Sequence, residues 1–160
     1  MGTYAANTEV SQEKSRAEIE TTLRRYGADA FSYGWEEGKA VIVFRANNRH
    51  VRFEIVMPDP KNEEFTTYRH SSGKIKERSS DVAYKAWEQA TRQKWRALSL
   101  VVKAKLEAVD AGISEFEEEF LANIVLPDGS TVGAQIRPHI EQAYLSGKMP
   151  KRLLLGTSEK

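Results

Sequence analysis

The sequence predicts an α+β fold: a three-stranded antiparallel meander with one long helix packed across it, plus a small hairpin and short helices. Residues 29–57 form three β-type apolar runs joined by turns of two to four residues, as in an antiparallel meander. Residues 80–111 carry apolar side chains at helical spacing, and Gly112 ends that run. We expect residues 1–160 to form a single domain.

The amino-terminal half supplies the first helix and the meander. Residues 1–10 are expected to form a flexible arm, followed by a helix capped by Ser11 and stopped by Gly27. The three expected strands are DAFSYGW, AVIVFRA and HVRFEIVM. Pro58 and Pro60 end the third, and residues 59–79 are predicted to be a long polar loop.

The carboxyl-terminal half begins with the long helix, capped by Ser79 or Ser80 and about 45 Å long at 1.5 Å per residue. A short helix capped by Ser114 follows, and then a small hairpin around Pro-Asp-Gly-Ser. The final helix is interrupted or begun at Pro138. Residues 153–160 are expected to be a frayed tail.

Composition excludes several classes of protein. With 24 basic and 23 acidic residues the net charge is +1, so any attraction for a polyanion must come from local asymmetry. The absence of cysteine excludes disulfides and thiolate metal sites. No leader pattern opens the chain and no apolar run is long enough for a bilayer, so we expect a cytoplasmic protein without membrane contact.

The long helix carries a basic ridge, the main candidate for a binding site. Its members lie within about 40° of one another over about 27 Å: Lys85, Arg92, Arg96 and Lys103. Glu88 is the only acid between Asp81 and Glu107, whereas a solubilising face usually mixes charges. Phosphate binding needs such a single-sign ridge. A solvated face and a surface for an acidic protein remain alternatives.

Two groups in the meander extend this hypothesis. Arg45, Arg49 and Arg52 are predicted to continue the basic path, with scattered surface charge as the alternative. The cations of the long loop would extend the same groove: Arg69, Lys74, Lys76 and Arg78. The aromatic residues Phe31, Tyr33 and Trp35 share one face of the first strand. They suit either base stacking or packing beneath the long helix, and we favour packing.

The sequence does not support a catalytic centre. His50, His70 and His139 are far apart, and none has a metal-ligand spacing, so we expect neither a metal nor a cofactor. The stretch HSSGK lacks the glycine-rich strand-to-helix setting of a phosphate-binding loop. No residue can be named as a nucleophile or a general base.

Three stretches carry a resemblance: EKSRAEIETTLRRYGADAFSYGWEEGKAVIVF, RQKWRALSLVVKAKLEAVDAGISEFEEEFLANIVLPDGSTVG and IEQAYLSGKMP. They resemble a family of small uncharacterised phage and prophage proteins, which implies a phage context and assigns no catalytic residue. The order of elements is also similar to the core of phage single-strand annealing proteins, a likeness of fold without a shared motif.

These observations favour a non-catalytic nucleic-acid-binding protein of phage or prophage origin, binding single-stranded DNA or RNA in replication or recombination. The alternative is a host-directed interaction protein, such as an inhibitor of a bacterial defence system. It would use the same ridge to bind an acidic protein or sequester a nucleotide signal. A third interpretation is a structural protein whose long helix assembles into homo-oligomers.

Overall fold

The computed structural model describes Ala5, residues 7–36 and residues 38–148. Its α+β architecture confirms the predicted fold class. The helices are α1 (Gln12–Arg25), α2 (Glu63–Thr66), α3 (Ser80–Asp110), α4 (Phe116–Phe120) and α5 (Val132–Ser146), with a 3₁₀ turn at Leu121–Asn123. The strands are β1 (Ala30–Glu36), β2 (Lys39–Ala46), β3 (Arg49–Val56), β4 (Thr67–Arg69) and β5 (Ile75–Glu77).

Helix α1 begins and ends where the sequence predicts. The Ser11 hydroxyl accepts a hydrogen bond from the backbone N–H of Lys14 at 3.2 Å, which satisfies one of the free donors of the first turn. Gly27 follows the helix with φ +86°, a conformation that side chains with a Cβ rarely adopt. Between these ends, Ile19 and Leu23 are fully buried.

The meander has the strand order β1-β2-β3, with both pairs antiparallel. Asn47 and Asn48 both have positive φ, which gives the β2–β3 turn the twist that a two-residue hairpin needs. Phe44 on β2 lies opposite Phe31 on β1 and Val51 on β3. Because side chains alternate between the faces of a strand, this register fixes which residues face α3 and which point away.

The core lies between the sheet and the helices α1, α3 and α4. Trp95 of α3, Phe44 of β2 and Phe120 of α4 are its largest fully buried side chains. Phe44 and Phe120 meet edge to face at 5.7 Å between ring centroids. Burial of each such side chain stabilises the fold by about 1.5–3 kcal/mol, so these three residues hold α3 and α4 against the sheet.

The segment predicted as a loop, 59–79, contains α2 and a β4–β5 hairpin instead. Phe65 of α2 is buried, and Arg78 ties the base of the hairpin to this helix. The backbone N–H of Arg78 donates to the carbonyl of Thr66 at 2.7 Å, and its guanidinium donates to the carbonyls of Glu64 and Phe65. The hairpin is therefore attached to the domain at its base, directly before α3 begins.

The carboxyl-terminal elements differ in detail from the prediction. The expected hairpin around Pro-Asp-Gly-Ser is a tight turn closed by a single bridge between Val125 and Thr131. Helix α5 starts after its cap Thr131 and includes Pro138 in its interior. The predicted frayed tail, 153–160, lies outside the described residues, as does part of the predicted arm. In the part of the chain that the structure describes, no helix is long and apolar enough to cross a membrane.

Candidate nucleic-acid interface

The two arginines of the predicted α3 ridge are engaged by acids. Arg92 forms an ion pair with Glu88 at 3.3 Å, and its Nη2 donates to the Gln89 side chain at 2.6 Å. Arg96 forms an ion pair with Glu18 of α1. The ridge therefore faces α1, and its middle is close to electrically neutral.

Lys85 and Lys103, at the two ends of the ridge, are solvent-exposed. Neither lysine takes part in an ion pair with any described residue. Because both ammonium groups are exposed and unpaired, the attraction of the ridge for phosphate lies at its ends.

The three arginines of the sheet are paired as well. Arg45 donates to Asp29 at 2.7 Å, and Arg49 lies 3.6 Å from Glu117 of α4. The guanidinium of Arg52 lies 3.1 Å from the Glu54 carboxylate, and its Nη1 donates to the carbonyl of Gly129 at 2.8 Å. These contacts occupy donors that a phosphate would otherwise use.

The sheet arginines do not continue the α3 ridge. Arg45 and Arg52 alternate with the buried Phe44 and Val51, so they point away from α3. Arg49 lies on the helix side, beside α4. Ridge and sheet arginines thus do not form one continuous groove, and their role in binding nucleic acid stays a prediction.

The aromatic residues of β1 lie on the helix-facing side of the sheet, as packing beneath α3 requires. Trp35 meets Trp95 edge to face at 6.2 Å between ring centroids, and the Arg16 guanidinium lies 5.0 Å from the centre of the Tyr33 ring. Tyr33 and Trp35 are still 50% and 59% exposed, because β1 is an edge strand of the sheet. Arg16 and Trp95 already cover parts of the surface that a stacked base would need.

A basic depression of about 360 Å³ lies between α1 and α3, at the Lys103 end of the ridge. Lys14 and Arg25 of α1 line it together with Lys103. The three cations, which we call the depression cluster, form no ion pair with a described residue. Glu18 is the single acid of the lining, and Arg96 already engages it. Cations around a hollow of this size can bind a phosphate group.

The sequence contains a signal for this depression that was missed. Lys14 and Arg25 are eleven residues apart on α1. Eleven residues are close to three helical turns, so the two side chains share one face of the helix. What the sequence of α1 does not show is that this face lies beside Lys103, because that contact depends on how α1 packs on α3.

Tyr26 also lines the depression. A hydrogen bond with the Glu107 carboxylate raises the pKa of Tyr26 above its usual value. The phenol therefore stays neutral and protonated at neutral pH, and it adds no negative charge to the depression.

The β4–β5 hairpin presents a second basic surface. Tyr68 and Lys76 are opposite each other and share one face, whereas Arg69 and Ile75 share the other. Lys74 lies at the tip, where the His70 ring is hydrogen-bonded to Ser72 at 2.9 Å. Every residue from 71 to 77 is exposed. The hairpin therefore offers cations and one aromatic ring to solvent.

The hairpin is followed directly by the first turns of α3. Only two residues separate β5 from α3, which carries Lys85. We call this group the hairpin cluster: Arg69, Lys74, Lys76 and Lys85. None of its members is paired with an acid within the described ranges. Unpaired cations thus lie at both ends of the α3 ridge, and the cations of the hairpin precede its first end in the chain.

The described residues show no group of three or more histidines and acids that could hold a metal ion. The histidine of the hairpin is bonded to serine hydroxyls on an exposed tip, where nothing excludes water. The chemistry that this arrangement supports is binding of anions.

The chain matches no protein-family model, no curated protein and no solved structure. The resemblance to phage proteins and the likeness to annealing proteins accordingly stay predictions.

Proposed function

We propose that this protein is a non-catalytic nucleic-acid-binding protein that holds a single strand of DNA or RNA. The strand contacts the hairpin cluster at one end of the α3 ridge and the depression cluster at the other. Lys85 and Lys103, 18 residues apart on α3, span about 27 Å between the two clusters. The setting in phage replication or recombination rests on the sequence resemblance alone.

The supporting observation is the pairing state of the cations. The arginines in the middle of the ridge and on the sheet have acid partners, whereas the seven cations of the two clusters have none among the described residues. An unpaired surface cation keeps its full attraction for phosphate, and its contact releases counterions from the nucleic acid. A paired arginine must first lose its partner.

Tyr68 favours a single strand over a duplex. Its ring is 41% exposed and meets His70 at 6.5 Å between ring centroids. Lys76 lies opposite on the same face. A base can stack on the ring while the lysine contacts a neighbouring phosphate, and stacking requires an unpaired base.

Fluorescence anisotropy with labelled single-stranded and double-stranded oligonucleotides tests this proposal. We expect the single strand to bind more tightly at low salt. Replacement Tyr68→Ala should weaken binding of the single strand by about 5- to 150-fold, the equivalent of 1–3 kcal/mol per stacked base. Duplex binding should change little.

Tyr68→Phe is the matched control, because it keeps the ring and removes only the hydroxyl. Its affinity should stay within about twofold of the unsubstituted protein, since stacking needs only the face of the ring. No detectable binding of either oligonucleotide at low salt would refute the proposed function. In that case, capture of one acidic host protein would support the interaction-protein alternative.

A further inference from the structure

An apolar cleft of about 1000 Å³ opens on the side of α3 away from the ridge. Ala97, Leu100 and Val101 of α3 form one wall, and Met57 and Phe65 contribute to the other. Val101 is 45% exposed. Amphipathic helices bind other proteins by laying their apolar face into an apolar groove of this kind.

Helix α3 is apolar on two sides along this cleft. Leu98 and Val102 are buried against the sheet, whereas Leu100 and Val101 line the cleft. Between residues 97 and 104 the only charged side chain is Lys103. A surface helix usually carries a single apolar stripe that faces the core, so the second apolar side of α3 indicates that the cleft is occupied in the assembled protein.

Helix α5 carries a complementary unpartnered surface. Ile136, Ile140 and Tyr144 follow one another at four-residue intervals, which places them on one side of the helix. None of the 15 residues of α5 is buried, and Tyr144 and Leu145 are 87% and 83% exposed. Residues at such intervals are the anchors by which an amphipathic helix binds in an apolar groove.

The cleft and α5 have nearly the same length, and small side chains line the cleft. The cleft follows α3 from Ala90 to Ala104, about 21 Å, and the 15 residues of α5 span about 22 Å. Ala90, Ala97 and Ala104 all line the cleft, so small side chains recur every seven residues along it. Small side chains let a second helix approach closely.

The charges beside the two surfaces are complementary. Glu64 and Lys94 line the cleft, and Arg137 and Glu141 lie one turn apart on α5. None of these four residues forms an ion pair within the residues that the structure describes. A helix seated in the cleft can therefore form two ion pairs with it, Arg137 with Glu64 and Glu141 with Lys94.

We propose that the cleft binds α5 of a second copy of this chain and that the exchange is reciprocal, giving a dimer with two-fold symmetry. Ile140 and Tyr144 of this stripe are exposed within their own chain, and no residue of α5 lines the cleft, so the helix does not fill its own cleft. In a reciprocal exchange both copies give and receive one helix, which closes the assembly at two subunits. This inference is independent of nucleic-acid binding.

Light scattering coupled to size-exclusion chromatography measures the mass of the assembly directly, at protein concentrations from micromolar to millimolar. We expect a mass of twice the 18.1 kDa of one chain. Ala97→Glu in the cleft and Tyr144→Glu on α5 should each halve that mass. Circular dichroism should show unchanged helix content, because both positions are exposed.

Mixing the two variants gives a sharper test. The Ala97→Glu copy keeps an intact α5, and the Tyr144→Glu copy keeps an intact cleft, so the mixture should form a weak dimer that neither variant forms alone. Packing of α3 against α3 would instead leave the Tyr144→Glu variant dimeric. Charge reversal provides a second readout: Glu64→Arg or Arg137→Glu should weaken the dimer, and the double variant should restore it.

A mass of one chain at every concentration would overturn the proposal. So would a dimer that survives both Ala97→Glu and Tyr144→Glu. A protein that is monomeric at full length and dimeric after removal of residues 149–160 would show that this segment fills the cleft, and it would equally overturn the proposal.

Discussion

The salt dependence of nucleic-acid binding gives the most quantitative test of the two basic clusters. Each cation that contacts a phosphate of a single strand adds about 0.7 to the slope of log affinity against log salt. If all seven unpaired cations of the hairpin and depression clusters make such contacts, the slope is about −4.9. Raising the salt from about 50 to about 200 mM then weakens binding by roughly 900-fold.

Replacing Arg69, Lys74 and Lys76 by glutamine removes three of these contacts. The expected slope falls to about −2.8, and the same change in salt then weakens binding by only about 50-fold. The three side chains are exposed and unpaired, so the substitutions should leave the free energy of unfolding nearly unchanged. Anisotropy titrations at four or more salt concentrations measure the slope for both proteins.

The matched control removes the same charge from exposed cations outside both clusters and outside the proposed dimer interface: Lys39, Lys61 and Lys148. Its slope should stay at the value of the unsubstituted protein, because these side chains are not placed to contact the strand. Equal slopes for the hairpin variant and the unsubstituted protein would refute the contact assigned to the hairpin. A control that lowers the slope as much as the hairpin variant would show that overall charge, and not the clusters, determines binding.

Three further predictions concern the fold. Gly133→Ala places a Cβ 2.7 Å from the carbonyl oxygen of Ala122. The overpacking cost of about 1–3 kcal/mol outweighs the roughly 1 kcal/mol gained in helix propensity. Urea unfolding should therefore show a lower free energy of unfolding, and a more stable variant would contradict this packing. Phe120→Ala should cost about 3–5 kcal/mol in the same assay, and a loss under about 1 kcal/mol would place this ring outside the core. The N–H and O–H of Ser130 donate to Asp128 and hold the pKa of its carboxyl below the usual value. The ionised carboxylate therefore stabilises the fold at any pH above the pKa that Asp128 has in the unfolded chain. This stability is lost as the pH falls through the lower pKa that Asp128 has in the folded protein. Unfolding across pH should therefore show Asp128→Asn less stable at neutral pH and equal in acid, and a constant difference would contradict this.

The secondary structure that could be predicted is the part in which burial leaves a period in the sequence. On β2 the buried Ala40, Ile42 and Phe44 alternate with less buried residues, and α3 repeats its buried residues every three or four positions. The β4–β5 hairpin escaped prediction because β4 is only half-buried at Thr67 and β5 is exposed throughout. Its strands have three residues each, so no alternation is long enough to be seen.

The angular position of the ridge was predictable, and so was the ion pair of Arg92 with Glu88 four residues earlier, but the neutralisation of Arg96 was not. Helical geometry relates Lys85, Arg92, Arg96 and Lys103 to one another within α3. The acid that neutralises Arg96 is Glu18, which is 78 positions away in sequence and arrives through the packing of α1. The separation of the sheet arginines from the ridge could have been predicted from the sequence, because Arg52 alternates with the apolar residues that must face the core.

The division between paired and unpaired cations also indicates how the protein would recognise a strand. Seven of the nine ion pairs among the described residues use arginine, whose planar guanidinium suits a fixed partner. Five of the seven unpaired cluster cations are lysines, which act as flexible point charges toward phosphate oxygens. Phosphate contacts position a strand without reading its bases, and stacking on Tyr68 accepts any base. The proposed interface therefore implies binding with little sequence preference, so homopolymers of different bases should differ only through the strength of stacking.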